Sequence, residues 1–314
     1  MDQKIRKFYA QLQCCCHNED FDSLEQLLSD SEQMLAQESE HIRQLIAAYE
    51  TLGTFYRGTH HFTRSLIAFQ KACALLRDHF GTNCIEYAVT LSNLASTYRL
   101  ANQHTVAIKL FRDVLRLYHQ MGLESDYSYV NVLNNIALVY QESGQTDFAI
   151  YYLEKALKLI RSMPQCRPEL TITYSNLTAL HYKAGRESKA MACLEQALQV
   201  YDACKHEEHP QCPAALNNLA GVLYSAKEHE RALSVYQMAA EYTKRFYGET
   251  EEYAHTLQNM SWIYKERRDL HAAAEALSIS ARIYQVLFGP NDERTCVVRE
   301  QLARVRGEIE RERT

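Results

Sequence analysis

The sequence predicts an all-α fold: a right-handed solenoid of stacked helical hairpins. Two observations carry this. The first is a shortage of turn residues. The 314 residues hold only 10 Gly and 5 Pro, where average usage would give about 22 and about 16. A sheet protein needs turn residues at short intervals, and a nucleotide-binding α/β fold needs a Gly-rich loop. The second is internal repetition. SNLASTYRLANQHTVAIKLF from Ser92 aligns with NNIALVYQESGQTDFAIYYL from Asn134. The frame recurs at SNLTALHYKAGRESKAMACL, NNLAGVLYSAKEHERALSVY and QNMSWIYKERRDLHAAAEAL, with an earlier copy from Glu50.

Taken in chain order, residues 1–39 read as a degenerate first repeat that caps the array, two helical segments broken at His17-Asn18-Glu19-Asp20. Six repeats follow over 40–290. One column of small residues holds Gly53, Ala95, Ala137, Thr178, Ala220 and Ser261, at spacings of 42, 42, 41, 42 and 41. A second holds Ser65, Ala107, Ala149, Ala190, Ala232 and Ala273. A third holds Ala72, Val114, Ala156, Ala197, Ala239 and Ser280. Each repeat reads as two amphipathic helices with apolar residues at i, i+3, i+4 and i+7. Small residues at a helix crossing let two backbones approach. Large ones beside them, such as Tyr98 and Phe111, fill the flanking volume. One hairpin cannot bury its own apolar face, but stacked hairpins can. Residues 291–314 read as a closing charged helix with an apolar stripe of Val297, Val298, Leu302 and Val305. No Pro-, Ser- or Gly-rich linker divides the chain, so 1–314 reads as a single solenoid domain.

The order of small and aromatic residues resembles the tetratricopeptide repeat, whose usual period is 34 residues. A period near 42 with Leu133-Asn134-Asn135-Ile136-Ala137 and Leu216-Asn217-Asn218-Leu219-Ala220 is similar to the long-helix variant of kinesin light chains, and to many bacterial repeat proteins. The resemblance covers about residues 40–290. It implies a right-handed superhelix of helix hairpins that acts as a binding scaffold.

Charge and motif searches narrow the chemistry. Net charge is −5, from 34 basic and 39 acidic residues. A nucleic-acid binder more often carries a basic excess on one face, so no nucleic-acid partner is expected. No run of 18 apolar residues and no apolar leader are present, so neither a membrane span nor a secretion signal is expected. Ten scattered cysteines read as free thiols of a cytoplasmic protein. No phosphate loop, nucleophile elbow or metalloprotease motif occurs, so the reading is no enzyme, no cofactor and no metal. The nearest approach to a metal site is Cys204, His206, His209 and Cys212 in an inter-repeat loop, without the spacing of a zinc finger. Cys14-Cys15-Cys16 cannot share one helical face, because neighbours diverge by 100°.

The sharper signal is a column of amides. Asn93, Asn135, Asn176, Asn218 and Asn259 each lie two residues before the first small column. Two residues is 200° around a helix, so the amides point nearly away from the partner helix. By resemblance the first helices line the concave wall, and the amides face the groove. Asn in a helix costs ~0.5–0.7 kcal/mol relative to Ala, so five copies cost about 3 kcal/mol. Two readings compensate for that cost. The amides bond both N–H and C=O of a bound peptide, or they form a structural ladder between successive first helices. Asn131, Asn134 and Asn217 add amides nearby. Arg99, Lys183 and Lys265 supply cations, and Trp262 an aromatic face. The expected partner is another protein or a peptide, bound in the groove by an adaptor. The alternative is a regulatory receptor for a short signalling peptide. Sequence leaves the oligomeric state open.

Overall fold

The computed structural model describes residues 10–11, 23, 26–27, 39–163 and 167–313. The described residues contain thirteen helices and no strand. The chain divides into two compact units, one up to Leu159 and one from Ile160. The first holds α1 (Ser39–Gly58), α2 (Phe62–Phe80), α3 (Ile85–Leu100), α4 (His104–Gln120), α5 (Tyr127–Glu142) and, but for its last residue, α6 (Thr146–Ile160). The second holds α7 (Arg167–Lys183), α8 (Glu187–Cys204), α9 (Cys212–Ser225), α10 (His229–Tyr247), α11 (Glu251–Glu266), α12 (Leu270–Phe288) and α13 (Glu293–Arg313). Consecutive helices pair as hairpins. In the first unit α2 packs on α3 and α4 on α5, and in the second α7 on α9, α10 on α11 and α12 on α13.

All eighteen residues of the three small columns are buried. At Gly53 the fit is tightest. A Cβ there would lie 2.7 Å from the Phe69 ring, and Phe69 is itself fully buried. The Ser65 hydroxyl donates to the Gly53 carbonyl at 2.7 Å, tying α2 to α1. The same device recurs at the far end, where the Ser280 hydroxyl donates to the Ala254 carbonyl at 2.9 Å.

The turns inside the hairpins form a further column. His60, Asn102, Gly144, Gly185, Lys227 and Arg268 all have φ between 58° and 77°, at the repeat spacing. At each, the next N–H bonds the carbonyl five residues back, as from Gln103 to Tyr98 at 2.9 Å and from Glu228 to Leu223 at 2.9 Å. This is the Schellman closure, which normally takes Gly. A left-handed conformation costs an L-residue roughly 1–2 kcal/mol, and glycine recovers part of that less its larger unfolded entropy. Lys227→Gly should therefore stabilise by about 0.5–1 kcal/mol, and Gly185→Lys should destabilise by a similar amount. Urea melts of the two variants check both signs.

The capping segment 1–39 lies almost wholly outside the described residues, as does Cys14-Cys15-Cys16. Leu27 packs on the apolar cluster that includes Leu45, Tyr49 and Leu52 of α1. At the other end α13 covers the last hairpin with Val298, Leu302 and Val305, all buried. Val297, expected in that stripe, is 43% exposed. Adjacent helical positions diverge by 100°, and the turn of α13 that buries Val298 points Val297 outward.

Candidate peptide-binding surface

The two roles open to the amide column separate by register. Within each unit the first helices are tied to the first helix of the next repeat or to α13 by side chains, mostly from the column one residue earlier, at Glu50, Ser175, Asn217 and Gln258. The Asn134 Oδ1 in the same column is instead buried without a hydrogen-bond partner among the described residues. Thr90 bonds the Glu50 carboxylate. Ser175 donates to the Ala215 carbonyl at 2.8 Å. Asn217 Nδ2 donates to Thr256 Oγ1 at 2.8 Å. Gln258 Nε2 donates to Gln301 Oε1 at 2.8 Å. The repeat spacing of this column is visible in the sequence, and it was the missed signal.

A second set of ties runs along the ends of the first helices. Arg57 reaches the Asn93 carbonyl and Oδ1 at 3.4 and 3.3 Å. Arg99 pairs with Glu142, and His104 approaches the same carboxylate at 3.7 Å. The arrangement returns in the second unit. There Tyr224 donates to Glu266 at 2.7 Å, and His229 lies 2.8 Å from that carboxylate. Lys265 pairs with Glu308 of α13 at 3.5 Å. Burial and the nearby Arg99 charge push the Arg57 guanidinium below its ordinary value.

These ties sort the expected site residues. Asn217 is only 9% exposed and belongs to the stack. Arg99 and Lys265 are half-buried and held by carboxylates two helices further along the chain, Glu142 of α5 and Glu308 of α13. Asn93 accepts from Arg57. Asn131 and Lys183 are exposed, and Asn134 is half-buried. Trp262 is 48% exposed, with the Lys265 ammonium 5.8 Å from its ring. Asn135, Asn176, Asn218 and Asn259 make no side-chain hydrogen bond to any described residue. Asn218 is exposed and the other three are half-buried.

In the second unit, Asn176, Asn218 and Asn259 sit on α7, α9 and α11. Three residues on from each come Ala179, Gly221 and Trp262, which share its helix face. A Cβ at Gly221 would meet only the Tyr236 hydroxyl, at 3.8 Å. Packing therefore does not require glycine there, although glycine in a helix costs about 0.5–1 kcal/mol. Ala179 and Gly221 leave a low floor beside two free amides, bounded at α11 by the Trp262 ring.

The loop that carries Cys204, His206, His209 and Cys212 has a structural role. The Tyr242 hydroxyl donates to the Glu207 carbonyl at 2.6 Å and accepts from the His209 N–H at 2.7 Å. His209 lies 3.6 Å from Glu169. Both thiols are buried, and burial pushes that of Cys212 up to about 11. A metal-binding thiol must be a thiolate. Among the described residues no group of three or more His, Cys, Asp or Glu side chains is arranged to hold a metal. Among them also, no helix is long and apolar enough to cross a membrane.

The repeat register, the buried small columns and the hairpin stack agree with a family comparison. The tetratricopeptide repeat model matches residues 44–120, 128–203 and 211–278. The chain belongs to the tetratricopeptide repeat family. Its hairpins are tetratricopeptide helix pairs, and the fold class is the all-α solenoid expected from the columns. A solved structure of a kinesin light chain-like repeat protein from Podosopora anserina is similar, with 16% identity and a TM-score of 0.52. It covers 64% of this chain and 96% of that one. The apo form of the quorum sensor NprR from B. thuringiensis is 17% identical, with a TM-score of 0.53, covering 97% and 89%. These likenesses show the fold alone. A clustered mitochondria protein homolog from Lodderomyces elongisporus is 26% identical over 101 residues, 32% of this chain. The chain spans about 7% of the length of that relative.

Proposed function

We propose that the tetratricopeptide repeats bind an extended peptide segment of a partner protein, making the chain a cytoplasmic, non-enzymatic adaptor. The observation that carries this is the free amide row. The neighbouring column ties the repeats together, and Asn135, Asn176, Asn218 and Asn259 are left with unused donors and acceptors. A carboxamide matches both the N–H and the C=O of a backbone, and a stack of rigid hairpins holds such amides preorganised. The low floor at Ala179 and Gly221 favours an extended chain lying close to the helices. The buried thiols of Cys73, Cys204 and Cys212, none of them in a disulfide, support a reducing compartment. The test is affinity capture with the immobilised chain, run beside an Asn176→Ala, Asn218→Ala variant. The reading expects a protein captured by the parent and lost with the variant. A protein captured equally by both would place the interface elsewhere.

The second reading is a receptor for a short signalling peptide. The favouring observation is likeness in fold to a quorum sensor over nearly the whole chain. Native mass spectrometry separates the two, because a receptor retains a free peptide of a few residues and an adaptor retains a folded partner.

A further inference from the structure

A cleft of about 560 Å³ opens in the second unit between α9, α10, α11 and α12. Its walls include Pro213, Tyr247, Glu251, Glu252, His255 and Tyr284. The two carboxylates differ. Glu251 is occupied by Arg294 at 3.1 Å. Glu252 is half-buried, yet its carboxylate makes no ion pair or side-chain hydrogen bond among the described residues. Burial raises its pKa from the ordinary value, and the neighbouring His255 only partly offsets that. A carboxylate held this way is short of positive charge. The Tyr247 hydroxyl oxygen is also buried, with no hydrogen-bond partner. Beside these groups lie the rings of Tyr247, Tyr284 and Pro213.

We propose that this cleft receives the basic side chain of a bound peptide, an arginine or lysine. The chemistry selects that ligand class. The stem of a basic side chain covers aromatic and proline faces while its head seeks charge. A cation over a tyrosine ring gains further attraction. The head reaches the one unpaired carboxylate, Glu252, and donates to the Tyr247 oxygen. An acidic side chain would meet Glu251 and Glu252 as like charges. A calcium or magnesium ion needs six or more oxygen ligands, these walls are mainly rings, and among the described residues no three His, Cys, Asp or Glu side chains are arranged to hold a metal. The cleft also lies in register with the amide row, since His255 stands one helical turn before Asn259 on α11. Naming a peptide as the source of the side chain rests on the groove reading. The chemistry of the cleft does not.

The test titrates N-acetyl-arginine methylamide into the full chain, followed by two-dimensional NMR. Its neutral isostere, N-acetyl-citrulline methylamide, is the control. The proposal expects weak, saturable shifts confined to residues around Tyr247, His255 and Tyr284, with the citrulline compound inert. Glu252→Gln should raise Kd at least about tenfold, as loss of the ion partner requires. It should not lower Tm, because a half-buried unpaired charge is removed. Tyr247→Phe keeps the ring, and should weaken binding by about two- to fivefold through loss of one acceptor. Equal binding of the citrulline compound, or an unchanged Kd in Glu252→Gln, overturns the proposal. The Asn176→Ala, Asn218→Ala variant should bind the probe normally, so failure of the groove reading and failure of the cleft give different results.

Discussion

Gly53→Ala should destabilise the first unit by ~1–3 kcal/mol, the usual cost of forcing an extra methyl into a packed crossing. The direction is informative, because helix propensity alone favours alanine over glycine by about 1 kcal/mol. The added Cβ would lie 2.7–2.8 Å from three carbons of the Phe69 ring, so the ring must shift inside a filled core. Phe69→Ala should cost more, ~3–5 kcal/mol, as a large buried ring is deleted and a cavity remains. Combined, the two changes should lose less than their sum, with a coupling of ~0.5–3 kcal/mol, because removing the ring removes the clash. Gly221→Ala is the control. Its Cβ meets only one hydroxyl oxygen at 3.8 Å, so it should stabilise by up to about 1 kcal/mol. Denaturant melts of the four variants read all these signs. A neutral Gly53→Ala would mean that this crossing is looser than the structure shows.

Ala190→Leu tests the second column in the other unit. Ala190 is fully buried at the start of α8, at a position that is small in all six repeats. Three added carbons there must separate α8 from its neighbours or drive side chains off their rotamers, at ~1–3 kcal/mol or more. Ala192, two residues on and exposed, should accept leucine at little cost. Stability in a repeat array is approximately a sum over units and their interfaces. The melt should therefore show the loss mainly in the second unit's transition.

Much of the fold was legible because crossing geometry leaves a periodic mark. Where two backbones approach, only small residues fit, and a spacing of 41–42 repeats that demand. Other features leave no such mark. The left-handed turn column contains His60, Asn102, Lys227 and Arg268 as well as two glycines. The Schellman hydrogen bonds tolerate side chains that a composition search does not flag. Val297 was placed in the closing helix's stripe because the apolar pattern cannot tell which of two adjacent valines faces inward. The site was legible only as two alternatives, since an amide column looks the same in sequence whether it bonds its neighbours or a ligand. The structure parts these roles by one residue. Asn217 and Gln258 reach the next repeat, and Asn176, Asn218 and Asn259 do not. Arg99 and Lys265 were expected as free cations, but their carboxylate partners are about one repeat away in the chain, beyond any local pattern.

The most direct test of the amide row pairs a thermal melt with a binding measurement on one variant, Asn176→Ala, Asn218→Ala. Two exposed or half-buried helical asparagines that hold nothing become alanines, so Tm should stay equal or rise, by up to about 1 kcal/mol in stability. Affinity for the captured partner, measured by calorimetry, should fall by ~1–3 kcal/mol, the cost of leaving peptide groups unpaired. A variant that melts well below the parent and still binds the partner with unchanged Kd would contradict the account, and would make the row a structural ladder after all.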